Sequence, residues 1–178
     1  SASPKPGLPD DPWQRVSTPT EGVPESIGFY SAGCLRGAVQ LALSGPGYEV
    51  MRPSRSRYFG HAGLIDFIQA LSLDVSGRGL HTLLIGDMGQ PRGGPTLSGH
   101  ASHQTGLDVD VWFLQLPDGS KLSNEDRESL NSPRMVAGDL DSLTPQWKEA
   151  EMEVLRLTSL QPRVERIFVN PLIKQALC

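Results

Sequence analysis

Residues 107–113 alternate between apolar and polar side chains, and no other stretch restricts the possible folds of this chain as strongly. Successive side chains of a β-strand point to opposite faces of its sheet. The apolar side chains therefore face a hydrophobic core, while the carboxylates face a groove or the solvent. The first face carries Leu107, Val109, Val111 and Phe113, and the second carries Asp108, Asp110 and Trp112. The alternation predicts a strand that is buried on one face and carries two carboxylates on the other.

His103 lies just upstream of this strand, and Gly106 separates the two. A glycine permits a tight reversal of the backbone, so the imidazole of His103 can return over the strand and meet the carboxylate of Asp110. Histidine nitrogens and aspartate oxygens are common ligands of Zn²⁺. The spacing predicts that His103 and Asp110 bind one zinc ion; the alternative is a polar loop beside a solvated edge strand. For Asp108 we expect only a solvated carboxylate.

Other segments carry local signals for helices and strands. A helical period of apolar side chains begins after His61, which is expected to be a neutral, hydrogen-bonding histidine at the amino end of that helix. Thr-Pro at 144–145 and Asn-Pro at 170–171 are typical of helix starts. Core strands are predicted at residues 81–86 and 166–169. These elements indicate an α+β fold, a small and mostly antiparallel sheet with helices on one face and the zinc groove on the other.

Composition excludes two classes of function. The 178 residues include 16 Lys and Arg against 20 Asp and Glu, and the formal net charge of −4 argues against binding to a polyanion. No basic run resembles a nucleic-acid site, and no apolar run is long enough to cross a bilayer. Residues 1–12 are rich in proline and predict a flexible arm, so residues 13–178 are expected to form one domain. The oligomeric state is not indicated.

The segment Ser-His-Gln-Thr-Gly-Leu-Asp-Val-Asp at residues 102–110 resembles the zinc site of the LAS metallopeptidases. This group contains lysostaphin, the D-Ala-D-Ala peptidases and the hedgehog amino-terminal domains. Within the group, the chain is most similar to the penicillin-insensitive murein endopeptidases, from about Trp13 onward. Besides the zinc segment, the resemblance is carried by residues 26–28, 33–34, 48–52, 57–61, 84–89 and 166–171.

The resemblance implies a set of metal-binding residues. His103 and Asp110 match the zinc ligands of the family, and His100 matches a histidine that binds a further metal ion or lines the site. The family's third ligand and catalytic histidine lie in a His-x-His segment near the carboxyl end, but no histidine follows His103 here. The general base is therefore expected outside these residues. A catalytic zinc usually has three protein ligands, so we expect a domain that is incomplete at its carboxyl end and weakly active or inactive.

The resemblance also implies an activity. Zinc-dependent murein DD-endopeptidases hydrolyse the D-alanyl to meso-diaminopimelyl cross-links of peptidoglycan, and β-lactams do not inhibit them because no serine acyl-enzyme forms. A peptidoglycan substrate implies a periplasmic protein whose signal peptide has been removed. Two alternatives stay open: a D-Ala-D-Ala carboxypeptidase or dipeptidase of the LAS type, and a zinc-dependent binding module without turnover.

Three further features have more than one interpretation. Cys34 and Cys178 either pair with each other, stay reduced or, as the resemblance to a family with further cysteines implies, bond to partners elsewhere. Asp139 and Asp141 either bind metal or are capping or solvated acids. The basic cluster at residues 52–57 either binds a carboxylate of a murein peptide or is solvated surface charge.

Overall fold

The structure is a computed structural model that describes residues 12–13, 15–96, 101–139 and 141–178. The arm predicted at residues 1–12 lies outside the described residues except for Pro12. The strands are β1 (Glu25–Phe29), β2 (Ala32–Arg36), β3 (Val39–Gln40), β4 (Ser44–Gly45), β5 (Tyr48–Val50), β6 (Phe59–Gly60), β7 (Thr82–Ile85) and β8 (Val111–Leu116). The helices are α1 (Ala62–Gly77), α2 (Asn124–Ser129), α3 (Glu149–Ser159) and α4 (Pro171–Leu177), with a 3₁₀ turn at Pro53–Arg55.

The main sheet contains β4, β5, β7 and β8 in that order. β5 and β7 run parallel, whereas β4 and β8 each lie antiparallel to their neighbour. β1 pairs with β2, and β3 pairs with β6, in two separate antiparallel ribbons. The sheets and helices of the described part confirm the predicted α+β class, and most of the pairing is antiparallel.

α1 packs against β7 and covers one side of the main core. Each large aliphatic side chain buried there contributes about 1.5–3 kcal/mol relative to exposure. At the amino end of the helix, the Gly63 N–H donates to Nδ1 of His61 over 3.0 Å. The predicted helix and the hydrogen-bonding role of His61 are both confirmed. The buried stripe of α1 consists of Leu64, Ile65, Ile68, Leu71 and Val75.

The strand predicted at residues 166–169 is wrong. Ile167 and Val169 pack against a second core cluster, and Phe168 between them is 78% exposed, so the side chains do alternate. A strand also needs a neighbouring strand to pair its backbone groups. No such neighbour lies beside this segment in the described part of the chain.

The start predicted for a helix at residues 144–145 is also wrong, although the helix itself is present: α3 begins at Glu149, and Val154 and Leu157 of this helix are buried. The N–H groups of Gln146 and Trp147 donate to the side chain and carbonyl of Thr144, which closes a turn. A hydroxyl residue before proline favours a turn as well as a helix start. The helix start predicted from Asn-Pro at residues 170–171 is confirmed, because Asn170 Oδ1 accepts from Leu172 N–H over 2.9 Å and caps α4.

A buried ion pair joins α2 to β5, an inner strand of the main sheet. Glu49 lies in the middle of β5 with none of its surface exposed, and it pairs with Arg127 of α2. Arg127 also donates to the carbonyls of Leu43 and Val50. Removing one member of such a pair leaves a buried charge and costs about 3–5 kcal/mol. The pair therefore fixes the position of α2.

Candidate metal centre

The structure brings His103 and Asp110 together. Nε2 of His103 lies 3.6 Å from Oδ2 of Asp110, and only 4% of the His103 side chain is exposed. Two ligand atoms on one tetrahedral zinc, each 2.0–2.1 Å from the ion, are separated by about 3.3 Å. The observed separation fits a shared metal ion after a small movement. The pairing that the spacing predicted is thus present in the geometry.

Asp108 holds the other side of the same imidazole. Its Oδ2 lies 2.8 Å from Nδ1 of His103, and both of its oxygens accept from the His103 backbone N–H at 3.1–3.2 Å. Histidines that bind metals commonly have their second ring nitrogen held by a carboxylate, which fixes the orientation of the ring. The expectation of a merely solvated Asp108 is therefore wrong. Its position on the same strand face as Asp110 was the signal that could have revealed this role.

The alternation predicted the two faces correctly from residue 108 onward, but it was wrong for Leu107, which lies four residues before β8 and is 57% exposed. Val109 and Val111 pack on the main core, while Asp110 and Trp112 lie against Gly86 on the other face. A Cβ atom at Gly86 would come within 3.2 Å of the Asp110 Cβ and 2.6 Å of Trp112 Nε1. A glycine is needed there because the site residues occupy that space. β8 itself begins only at Val111, later than the predicted start at residue 107.

The tight reversal predicted at Gly106 is present, and the glycine has a left-handed conformation with φ of 66°. Its carbonyl accepts from the His61 N–H over 2.8 Å. On the other side, the β1–β2 ribbon holds the loop through Ser26, whose hydroxyl donates to the Thr105 carbonyl over 2.7 Å. His103 itself has φ of 69°, a conformation that costs energy for a non-glycine residue and persists only where neighbours enforce it.

The electrostatics of the centre favour a cation. Burial alone lowers the pKa of His103, but the hydrogen bonds and negative charges of Asp108 and Asp110 outweigh it and raise the pKa to about 10. The two carboxylates therefore hold a proton on the imidazole in the absence of another cation. A metal ion bound at Nε2 would replace that proton.

The other candidate residues contribute less to the described site. His100 lies outside the described residues. Asp139 and Asp141 are exposed, and Asp139 Oδ1 accepts from the Asp141 N–H in a local turn. Within residues 101–139 and the other described ranges, no three His, Cys, Asp or Glu side chains are placed to hold one ion. Cys34 and Cys178 are free thiols.

Comparison with known proteins identifies relatives along almost the whole chain. A family model described as penicillin-insensitive murein endopeptidase matches residues 26–178. A protein of that name from Klebsiella pneumoniae subsp. pneumoniae is 48% identical over 171 residues, which are 94% of this chain and 61% of the relative. Another, from Escherichia coli O1:K1 / APEC, is 47% identical over 171 residues with the same shares. The chain spans 61% of the length of these curated relatives.

Proposed function

Because this chain belongs to the penicillin-insensitive murein endopeptidase family, we propose that the protein is a zinc-dependent peptidoglycan endopeptidase. Its substrate would be the D-alanyl to meso-diaminopimelyl cross-link between peptide stems. The approach of His103 Nε2 to Asp110 Oδ2 is the observation that carries this proposal. The names of the relatives, which span most of this chain, support the murein substrate.

The roles of the residues follow from their positions. His103 would bind zinc through Nε2 and Asp110 through its carboxylate, while Asp108 holds the imidazole at Nδ1. When bound, zinc polarises a carbonyl group and lowers the pKa of bound water towards neutrality. Two backbone hydrogen bonds fix the position of Asp110: its carbonyl accepts from the Gly86 N–H over 2.7 Å, and its N–H donates to the Asp87 carbonyl over 3.0 Å. The ligand is therefore held before substrate arrives.

We further propose that the protein acts outside the cytoplasm, in the periplasm, where its cross-linked substrate lies. Cys34 and Cys178 would then have disulfide partners elsewhere, as an oxidising compartment permits. Of the helices in the described part, none has the length and apolar composition that a membrane span requires. Insensitivity to β-lactams would follow from zinc chemistry without a serine nucleophile.

A muropeptide digest tests the proposal. The zinc-loaded natural protein is incubated with purified cross-linked dimers, with and without penicillin, and the products are separated by chromatography and weighed by mass spectrometry. Release of monomers in both conditions, abolished by chelation and by Asp110→Asn, is the expected result. Release of terminal D-Ala alone would identify a carboxypeptidase. Retention of zinc with no release of any product would identify a binding module.

A further inference from the structure

Two arginines from the basic cluster share one buried carboxylate next to the metal centre. The Asp87 side chain is 4% exposed and accepts from Nη1 of Arg57 over 2.8 Å and from Nη1 of Arg55 over 3.0 Å. One acid thus faces two permanent positive charges. The cluster is therefore more than solvated surface charge.

The two arginines differ in how much of each side chain is exposed. Arg57 is 8% exposed, whereas Arg55 is 51% exposed and reaches Asp87 through Nη1 alone. Among the residues that the structure describes, Nε and Nη2 of Arg55 have no hydrogen-bond partner. These two nitrogens form the edge of a guanidinium that can bind both oxygens of one carboxylate. Arg55 is thus held in place on one side and open on the other.

Asp87 connects this guanidinium to the backbone of Asp110, the residue just before β8. The Gly86 N–H donates to the Asp110 carbonyl, and the Asp110 N–H donates to the Asp87 carbonyl. The backbone of Asp110 is thus hydrogen-bonded to both Gly86 and Asp87. These two bonds keep Asp87, and with it the paired Arg55, close to the backbone of the proposed zinc ligand.

The backbone around Arg55 contains non-glycine residues with positive φ, as does the loop that carries His103. Arg52 and Ser56, which flank the 3₁₀ turn at Pro53–Arg55, have φ of 54° and 53°. Together with His103, they are the only non-glycine residues with positive φ in the described ranges. Strained conformations of this kind cluster at functional sites. The strain supports a role for the segment in binding.

Around the 3₁₀ turn, the positive side chains outnumber the negative ones by one. Arg52, Arg55 and Arg57 face the acids Asp87 and Glu128. Hydrogen bonds from Ser54, with the nearby arginine charges, lower the pKa of Glu128 and keep it ionised.

Arg52 is already engaged: its Nη2 donates to the Leu130 carbonyl and the Asn131 side chain, and its guanidinium lies 5.6 Å from the centre of the Trp112 ring. Arg57 is buried on Asp87. Arg55 keeps about half of its side chain exposed, with 51% accessible, and it can therefore place its charge on a substrate.

We propose that Arg55 binds the free carboxylate of the diaminopimelyl residue on the amine side of the cross-link. In this linkage, the nitrogen of the scissile amide is bonded to the carbon that carries that carboxylate. The anion therefore lies one carbon away from the bond that is cleaved. A guanidinium held by Asp87, whose carbonyl accepts from the N–H of the proposed ligand Asp110, supplies the matching charge. This assignment rests on the proposed function and makes Arg55 a specificity-determining residue.

Two synthetic peptides test the assignment: N-acyl-D-alanyl-meso-diaminopimelate with the neighbouring carboxylate free, and the same peptide with that group as its amide. Binding and turnover of both are measured with the zinc-loaded natural protein. The variants are Arg55→Gln, Arg55→Lys and the control Arg78→Gln. Arg78 is a suitable control because it is 48% exposed and also pairs with one aspartate, Asp74. Thermal unfolding verifies that each variant is folded.

We expect the wild-type protein to prefer the free carboxylate by roughly 10- to 100-fold, the value of a charge-assisted bidentate contact. Arg55→Gln should reduce that preference to near one by raising KM for the free acid, with kcat little changed. Arg55→Lys should retain part of it, and Arg78→Gln all of it. The assignment is overturned if Arg55→Gln keeps the preference. Equal cleavage of both peptides by the wild type would reject the Arg55 assignment alone, and preferential binding without cleavage would reject only the endopeptidase function.

Discussion

His103 and His81 are buried to nearly the same degree, with 4% and 5% of their surfaces exposed, but their surroundings differ. Two carboxylates flank His103 and raise its pKa to about 10 in spite of burial. Burial lowers the pKa of His81, and the charge of Glu151 offsets this only in part. Nδ1 of His81 has no hydrogen-bond partner in the described ranges. The number of acids around a buried imidazole, and not burial alone, therefore distinguishes a candidate metal ligand from a core residue.

The largest expected effect comes from removing the acid at the proposed metal position. Asp110→Asn should weaken zinc binding by more than about 100-fold, the upper end of the effect of outer-shell substitutions, because a ligand is lost. Competition with a chromophoric chelator measures the affinity. His81→Gln is the matched control in an equally buried histidine and should leave zinc affinity within about twofold, since it touches no proposed ligand. Equal losses in the two variants would remove the distinction between these histidines.

Asp108→Asn should have an intermediate effect. The substitution keeps the shape of the side chain but removes the charge beside Nδ1 of His103, and comparable substitutions cost about 10- to 100-fold in metal affinity. The same competition assay measures the loss. An effect as large as that of Asp110→Asn would indicate that Asp108 is itself a ligand. An unchanged affinity would show that Asp108 does not orient the ring.

The pH dependence of stability should reveal His81. Its folded pKa is lowered, so below pH 6.5 the unfolded chain binds more protons and stability falls as pH falls, by up to about 1.36 kcal/mol per pH unit. The raised pKa of His103 acts in the opposite direction. It stabilises the metal-free fold in full below pH 6.5, and that contribution is lost only as pH rises through about 10. The free energy of unfolding of the metal-free protein, measured with urea at several pH values below 6.5, should therefore fall less steeply with decreasing pH for His81→Gln than for the wild type. Equal pH dependence in the two proteins would contradict the lowered pKa of His81.

The smallest effect is expected for Glu151→Gln. Glu151 is 1% exposed and opposes the effect of burial on the pKa of His81, so neutralising it should lower that pKa further. Glutamine keeps an oxygen that can accept from the Lys148 N–H, as Oε2 of Glu151 does over 3.2 Å. NMR titration of the His81 ring in the two proteins measures the change. An unchanged or raised pKa of His81 would contradict this role of Glu151.

Local sequence patterns determined a substantial part of this molecule. The apolar period at residues 64–71 specifies α1, and the Asn-Pro pair specifies the start of α4. The alternation at residues 107–113 correctly assigns side chains to the core and to the polar face, except for the exposed Leu107. The glycine turn returns His103 to Asp110. These features follow from sequence because they depend on neighbours a few positions apart, whose relative directions the backbone geometry dictates.

Tertiary structure decided the features that depend on distant partners. Residues 166–169 alternate like a strand, but no strand lies beside them in the part of the chain that the structure describes. Glu49 is accommodated in a buried strand only because Arg127, 78 residues later, reaches it. Asp108 can orient the His103 ring because the loop folds that ring onto its carboxylate. Asp87 pairs with Arg55 and is hydrogen-bonded to the backbone of Asp110. Backbone pairing and charge compensation require a second group at a definite place in space, and only the packed chain supplies that place.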